Sequence, residues 1–441
     1  MLSRISDIFE SPVRYVMVSF TDLHGVLRAK LVPKSHLNSV LETGAGFAGF
    51  AIGSVGQGPH DPDLTVRPDL SHWIPLNDAP DIAWTIGNLL LDGQPWHFCT
   101  RSLLQKVTEE LRQQGIQAKV GIEAEFYLVK ETENGHIIPA DTYDRAAKTC
   151  YQLDVLARHL PFLTDAIDGL ESLGIDVYQV DHEDGPSQFE INWVYDDALV
   201  TADRFSFLRF WVKRVAQREG LIATFMPKPF SHLTGSGAHV HLSLWDTHTG
   251  RNLFDDPTDP SGLSMMAHHF IAGVLSHAAA LTAFVAPTVN SYKRLSSPTS
   301  LSGATWSPTT ITVGANNRTH LIRIPGPGRF EFRAMDSSVN PYLGLAALLV
   351  AGFDGIRRRL PNIEPSKENM YGLSSTEIVD RHISRLPGSL DRALDALEAD
   401  PLFSDAFGDA FIKGFLAYKR SEWDEYHQTV SPQEIQHYLF Q

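Results

Sequence analysis

The feature that most constrains the fold is a set of four short segments in which apolar and charged residues alternate. In a strand, successive side chains point to opposite faces, so residues at i, i+2 and i+4 project together. Val120, Ile122, Ala124, Phe126 and Leu128 make one apolar face and leave Glu123 and Glu125 side by side on the other. Phe189, Ile191 and Trp193 oppose Gln188, Glu190 and Asn192 in the same way, and Ala238, Val240, Leu242 and Leu244 oppose His239, His241 and Ser243. In the fourth segment Phe330, Phe332 and Ala334 oppose Arg329, Glu331 and Arg333.

Any one of these segments reads as a half-buried strand with a solvated face. Together they carry adjacent glutamates, two histidines and an Arg-Glu-Arg alternation, where solvated faces usually carry Lys, Thr, Ser and Gln. Adjacent like charges repel, and a cation between them makes the arrangement favourable. An oxygen-rich set with one imidazole suits Mg²⁺ or Mn²⁺ better than Zn²⁺. Periodicity alone leaves open whether the four strands meet in space.

A chain of 441 residues is long enough for two domains of unequal size, and its 43% hydrophobic and 20% charged residues are those of a soluble globular protein. A net charge of −15 argues against general affinity for nucleic acid or anionic membrane. Met1 to Glu10 lacks the pattern of a secretory leader, and the most apolar run, Leu343 to Phe353, is too short for a span of about 20 residues, so a buried helix and a cytoplasmic location are expected. Cys99 and Cys150 read as free thiols.

Val13 to Val32, with a turn at Thr21 to Gly25, reads as a hairpin. Thr43 to Pro59 (TGAGFAGFAIGSVGQGP) reads as a specially shaped loop. Its Gly44-x-Gly46-x-x-Gly49 fits a dinucleotide turn poorly, because a helix precedes it and more loop follows. Thr100 is placed to cap a helix through Leu103, Leu104, Val107 and Leu111 that ends at Gly115, and a domain boundary is expected just before it. Beyond it come strand Ala118 to Val129, helix Tyr151 to Leu173, strands Ile175 to Val180 and Gln188 to Trp193, and helix Ala202 to Glu219. Strand His239 to Trp245, helix Met265 to Ala283, and strands near Thr319 to Ile324 and Phe330 to Met335 follow, and helices fill the last hundred residues. The mixture suggests an α/β or α+β domain around a curved sheet.

Six segments in order resemble the glutamine synthetase superfamily. They are Gly121-Ile122-Glu123-Ala124-Glu125-Phe126; Glu183 and Glu190 within DHEDGPSQFE; Gly235-Ser236-Gly237-Ala238-His239-Val240-His241; Asn290-Ser291-Tyr292-Lys293-Arg294-Leu295; Asn316-Asn317-Arg318; and RFEFR followed by Asn340-Pro341-Tyr342. The resemblance implies an α+β fold, with a small N-terminal β-grasp-like domain over 1–99 and a large catalytic domain over 100–441 built on a curved antiparallel sheet flanked by helices. It implies ATP-dependent activation of the γ-carboxylate of glutamate and transfer to an amine. Glu125, Glu183 and Glu190 then correspond to ligands of the metal next to glutamate, and Glu123, His239 and Glu331 to ligands of the metal at the nucleotide phosphates. Arg294, Arg333 and Gly235 correspond to the glutamate site. Arg318, Arg323 and Arg329 correspond to the ATP-phosphate site, with His241 and Ser243 on the nucleotide side. Phosphoryl transfer between anions needs such cations and arginines to neutralise charge. The resemblance also implies a homo-oligomer, commonly two stacked hexameric rings with active sites shared between neighbours.

The chain departs from the family where an ammonium ion is usually held. No acidic residue occurs from Gly44 to His60, where Ala48 takes the place of an aspartate, and none occurs from Leu295 to Arg329, where Ser300 is the approximate match for a flap glutamate. A site without two carboxylates compensates a small cation less and has more room. An alkylamine acceptor, methylamine first, is therefore expected, and Ser302 to Pro308 with the GANNRTHLIRIPGPGRFE that follows resembles the type III branch that includes γ-glutamylmethylamide synthetases. The alternatives are an ordinary glutamine synthetase in which Asp181 or Asp184 replaces the missing acids, and a non-catalytic relative. Asp181 and Asp184, which flank Glu183, are the candidate bases for the incoming ammonium, Asp181 first, and Arg318 is assigned to catalysis. Thr234 stands where many relatives carry an asparagine. Tyr371 aligns with a tyrosine that some bacterial relatives adenylylate, although an ordinary loop tyrosine also fits.

Overall fold

The computed structural model describes residues 5–52, 57–172, 174–296 and 300–441. The N-terminal hairpin forms as expected: β1 (Tyr15–Thr21) pairs antiparallel with β2 (Leu27–Pro33) across the Asp22–Val26 turn. Asp22 shapes that turn by accepting from the backbone N–H groups of His24 and Val26 and from Arg28. The sheet continues with β3 (Ala45–Phe47), β4 (Leu64–Leu76), β5 (Ala79–Leu91) and β6 (Gln94–Pro95), in the order β2-β1-β5-β4-β3, with β6 on β5. Part of the glycine-rich stretch is thus a short edge strand, β3, rather than loop, and a 3₁₀ turn spans Gly49–Ile52. Residues 53–56 of that stretch lie outside the described residues.

The second sheet has ten strands. They are β7 (Ile116–Glu131), β8 (Ile137–Pro139), β9 (Val177–His182), β10 (Gln188–Trp193), β11 (Asp196–Asp197), β12 (Ile222–Thr224), β13 (Ala238–Asp246), β14 (Val313–Ala315), β15 (Ile322–Gly326) and β16 (Arg329–Phe332). The main path runs β14-β15-β16-β13-β7-β10-β9 and is antiparallel except for β14 and β15. β7 is the spine, because β8, β11 and β12 also pair with it. Its apolar face, Val120, Ile122, Ala124, Phe126 and Leu128, is wholly buried. It packs on helices Thr100–Gln113 and Ala198–Arg218, against which helix Pro341–Arg358 is laid. The run Leu343 to Phe353 is the core of that last helix.

Three expectations change. The single helix expected over 151–173 is two, Leu153–Arg158 and Leu160–Ser172, with Pro161 in the first turn of the second, where a missing N–H is tolerated; Leu173 lies outside the described residues. The helix expected over Met265 to Ala283 is broken into Met265–Ser276 and Ala278–Val285, bent by 78° at His277. The His277 ring sits between two carboxylates, Asp400 at 2.6 Å and Asp354 at 3.0 Å. Thr100 does not cap the helix it begins: Cys99 is the N-cap without a side-chain bond, and the Thr100 hydroxyl instead accepts from Asn340 Nδ2 at 3.0 Å. Among the described residues no single helix is long and apolar enough to cross a membrane. Cys99 is buried and Cys150 half-buried, and both are free thiols.

Candidate active site

The four alternating segments are neighbours in one sheet, and the register sets their charged residues opposite one another. Glu123 of β7 lies across from His239 of β13, and His241 of β13 across from Glu331 of β16. On the other flank Glu125 lies across from Glu190 of β10, and Glu190 across from Asp181 of β9. Arg323 of β15 completes the row opposite Glu331. Directly opposite residues have side chains within reach of each other, so the alternation of six strands produces one continuous charged surface.

Charge divides this surface into two halves. In the first, Glu123 lies 3.0 Å from His239 Nδ1 and 2.8 Å from His241 Nε2. Burial raises its pKa, but hydrogen bonds to His239 and His241 outweigh burial and hold it well below the usual range. Glu331, fully buried, accepts from Arg323 at 2.7 Å and from Arg333; burial opposes ionisation, yet Arg333 and then His239 keep its pKa low. In the second half carboxylates crowd one another. Burial, and then the charge of Glu125, push Glu183 up to about 8. Burial, then Glu123, Glu183 and Glu125, raise Glu190 well above the carboxylate range. Glu125 is fixed by the Gly237 N–H at 2.8 Å and Gln188 Nε2 at 3.2 Å, and Glu190 by Asn192 Nδ2 at 2.8 Å.

Packed carboxylates of raised pKa beside an imidazole are a fitting donor set for hard divalent cations. Two groups bring their ligand atoms within 4.8 Å of one another: Glu123, Glu190 and His239, and Glu123, His241 and Glu331. His241, expected on the nucleotide side, therefore stands among the potential ligands.

A cavity of about 580 Å³ opens over the surface, lined by Glu123, Glu125, Glu183, Glu190, His239, Glu331, Asp181, Arg318, Arg323 and Arg333. Arg318 is exposed at its rim. Asp181 is bonded by Gln179 Nε2 at 2.5 Å, and burial raises its pKa against that bond, with Glu123 adding to the rise. Beneath the cavity Arg294 is buried and donates to the carbonyls of Ala334 and Arg333 at 3.1 Å each. Gly235 and Gly237 let the backbone pass it. A Cβ on Gly235 would lie 2.5 Å from the Pro227 carbonyl, and one on Gly237 would lie 2.7 Å from Arg294 Nη2. Ser243 lies farther along β13, where its hydroxyl accepts from Trp245 Nε1 at 2.9 Å, and Arg329 is exposed at the start of β16.

The cavity also includes Lys148, Tyr178 and Gln179, which the sequence reading passed over, and Ser302 and Trp306, which it quoted only within the 302–308 segment. Asn192, which shares a strand face with Glu190, was legible by alternation alone. Asp184 is 8% exposed and accepts from the hydroxyls of Thr234 and, at 2.6 Å, Ser302. A larger cavity of about 890 Å³ lies between the Leu23–Leu27 turn and helix Ala198–Arg218, and no carboxylate lines it.

Comparison with known proteins agrees with this geometry. Residues 97–438 match the family model described as glutamine synthetase, catalytic domain. A glutamine synthetase of Rhizobium leguminosarum bv. phaseoli is 42% identical over 417 residues, 95% of this chain and 94% of the relative. A glutamate–methylamine ligase of Methyloversatilis universalis is 42% identical over 433 residues, 98% of this chain and 97% of the relative. A solved structure described as a GmaS/ADP complex superposes with a TM-score of 0.92 at 42% identity and covers all of both chains. With a family model spanning most of its length and relatives matching it almost end to end, the chain belongs to the glutamine synthetase family of ATP-dependent ligases.

Proposed function

We propose that the protein couples the γ-carboxylate of L-glutamate to a small amine, methylamine first, with ATP as phosphoryl donor, releasing ADP and phosphate. The observation that carries the choice of acceptor is the absence of Asp and Glu from Gly44 to His60 and from Leu295 to Arg329. An acceptor with its own apolar group needs less charge compensation than an ammonium ion and fills more room. The resemblance in chain and fold to the glutamate–methylamine ligase and the GmaS structure supports the same reading.

In this reading Glu125, Glu183 and Glu190 hold a divalent ion, Mg²⁺ or Mn²⁺, on the glutamate side, and Glu123, His239 and Glu331 hold one at the nucleotide phosphates. These ions supply the positive charge that lets two polyanions approach. Arg294 and Arg333 position glutamate, with Gly235 near its amino group. Arg318, Arg323 and Arg329 hold the phosphates, Arg318 stabilises charge during transfer, and His241 and Ser243 lie on the nucleotide side. The γ-carboxylate attacks the terminal phosphorus and becomes γ-glutamyl phosphate. Asp181, whose pKa is raised by burial, then takes a proton from the incoming ammonium so that the free amine attacks the acyl carbon. Residues 1–99 act as an N-terminal domain that completes the neighbour's site in a cytoplasmic ring assembly, and 100–441 as the catalytic domain.

The second reading is an ordinary glutamine synthetase, and the Rhizobium relative favours it. Steady-state turnover with glutamate, ATP and Mg²⁺ against ammonia, methylamine and larger amines separates the two. A higher kcat/KM for methylamine is expected, and a strong preference for ammonia defeats the first reading.

A further inference from the structure

The loop from Ser300 to Ser307 lines the cavity through Ser302 and Trp306 and is held at both ends. At its far end the Trp306 carbonyl accepts from Arg333 Nη2 at 3.1 Å, the Ser307 hydroxyl donates to the Arg294 carbonyl at 3.1 Å, and the Tyr371 hydroxyl donates to the Ser307 carbonyl at 3.2 Å. At its near end the holding group is a carboxylate. Asp184, in the turn between β9 and β10, receives on one oxygen, Oδ2, the hydroxyls of Thr234 and, at 2.6 Å, Ser302, while the Ser300 hydroxyl lies 3.4 Å away with the Ala304 carbonyl and Ser302 as nearer partners for its single proton. Its other oxygen lies 3.9 Å from Cys150 Sγ. Ser300 and Ser302 are also bonded to each other at 2.9 Å.

A buried carboxyl group engaged by several hydroxyls is a structural anchor, because each partner holds its position. Thr234 leads directly into the Gly235 loop. One carboxylate therefore ties the floor of the glutamate site to the loop lining the cavity.

We propose that Asp184 is a positioning residue that latches the 300–307 loop over the acceptor end of the cavity and thereby keeps water from the acyl phosphate; this rests on the ligase reading above. In the productive step the amine nitrogen attacks the γ-carbonyl carbon, the carbon–oxygen bond to phosphorus breaks, phosphate leaves with the bonding pair, and the nitrogen loses a proton. In the wasteful step the oxygen of water takes the place of nitrogen, and glutamate and phosphate are returned with the proton passing to phosphate. Both consume one ATP, so exclusion of water sets the yield of amide.

The test uses the full chain and the variants Ser302→Ala, Ser302→Thr and Asp184→Asn. Wild type is expected to form one amide per ADP. Ser302→Ala and Asp184→Asn are expected to raise ADP released per amide about tenfold and to raise KM for the amine but not for ATP, whereas Ser302→Thr restores both. Amide hydrogen exchange across 300–307 is expected to quicken about tenfold in Ser302→Ala. Unchanged exchange in that variant overturns the latch, and faster exchange with an unchanged ADP-to-amide ratio overturns the shielding role. Should wild type form no amide with any amine, the ligase reading fails, while the exchange comparison still decides whether Asp184 latches the loop.

Discussion

Replacing Arg101 by Met should strip the main polar tie between the two sheets. Its guanidinium is 3% exposed and donates to Asp203 through Nε at 3.0 Å and Nη2 at 2.9 Å, to Asn88 through Nη1 at 2.9 Å and to Asp69 at 2.9 Å. Asn88 and Asp69 belong to β5 and β4, and Asp203 to helix Ala198–Arg218, so one side chain joins both halves. Asp203 would retain the Tyr342 hydroxyl at 2.6 Å and His72 at 3.1 Å, but its charge would stay buried without its counter-ion. Removing one partner of a buried pair costs about 3–5 kcal/mol, and the Asp69 contact adds little because that carboxylate is about a third exposed. At about 2.1 cal/mol/K per residue, unfolding of a chain this long loses about 1 °C of Tm per kcal/mol, so calorimetry should show a fall of about 3–5 °C. Arg101→Met with Asp203→Asn should be less damaging than the sum of the single changes by more than about 1 kcal/mol. A fall in Tm below about 1 °C, or strict additivity, would refute the assignment of a buried, coupled pair.

Three other outcomes follow from the geometry. Glu190→Gln removes a ligand from the carboxylate-crowded half of the site, and titration of Mn²⁺ should show affinity weakened by about 100-fold with turnover lost in parallel; unchanged binding would exclude Glu190 as a ligand. Gly237→Ala places a methyl group 2.7 Å from Arg294 Nη2 and 2.9 Å from His239 Nε2, so KM for glutamate should rise by about tenfold or more while the fold survives, as measured by kinetics beside circular dichroism. Burial lowers the His277 pKa, but Asp400 and Asp354 outweigh it and leave it raised above 6.5. The stabilisation from this ring is therefore full below about pH 6.5 and is lost as pH rises through the folded-state value. The Tm gap between wild type and His277→Gln should narrow from pH 6 to pH 9, and a gap that widens would reverse the sign.

The charged strands were legible because alternation is a local property, and Glu123, Glu125, Glu190, His239, His241 and Glu331 each fall on the face that alternation assigns them. Their pairing was not legible, because register depends on a partner far away in sequence. Strands β4 and β5 escaped the sequence reading for a physical reason. Pro68 and Pro75 interrupt β4, and the register shifts between Asp69 and Ile74 and again near Pro75, so the period of two is broken within one long strand. Thr100 was misread as a cap because its hydroxyl is claimed by Asn340 from the far end of the chain. Asp184 was legible as a carboxylate beside Glu183 that could replace the missing acids or act as a base; its neighbours come from residues 234, 300 and 302, which no local pattern connects to it.

Register along β7 has a consequence for how such an enzyme diversifies. Glu123 and Glu125 owe their partners to ladder pairing, and slipping the strand by one residue would turn both toward the helices, so this carboxylate set is locked into the scaffold. The Gly44–His60 and Leu295–Arg329 stretches lack acids here, and the strands that their described residues form, β3, β14 and β15, do not pair with β7. A lineage is thus free to rewrite those stretches while inheriting the carboxylate ladder intact.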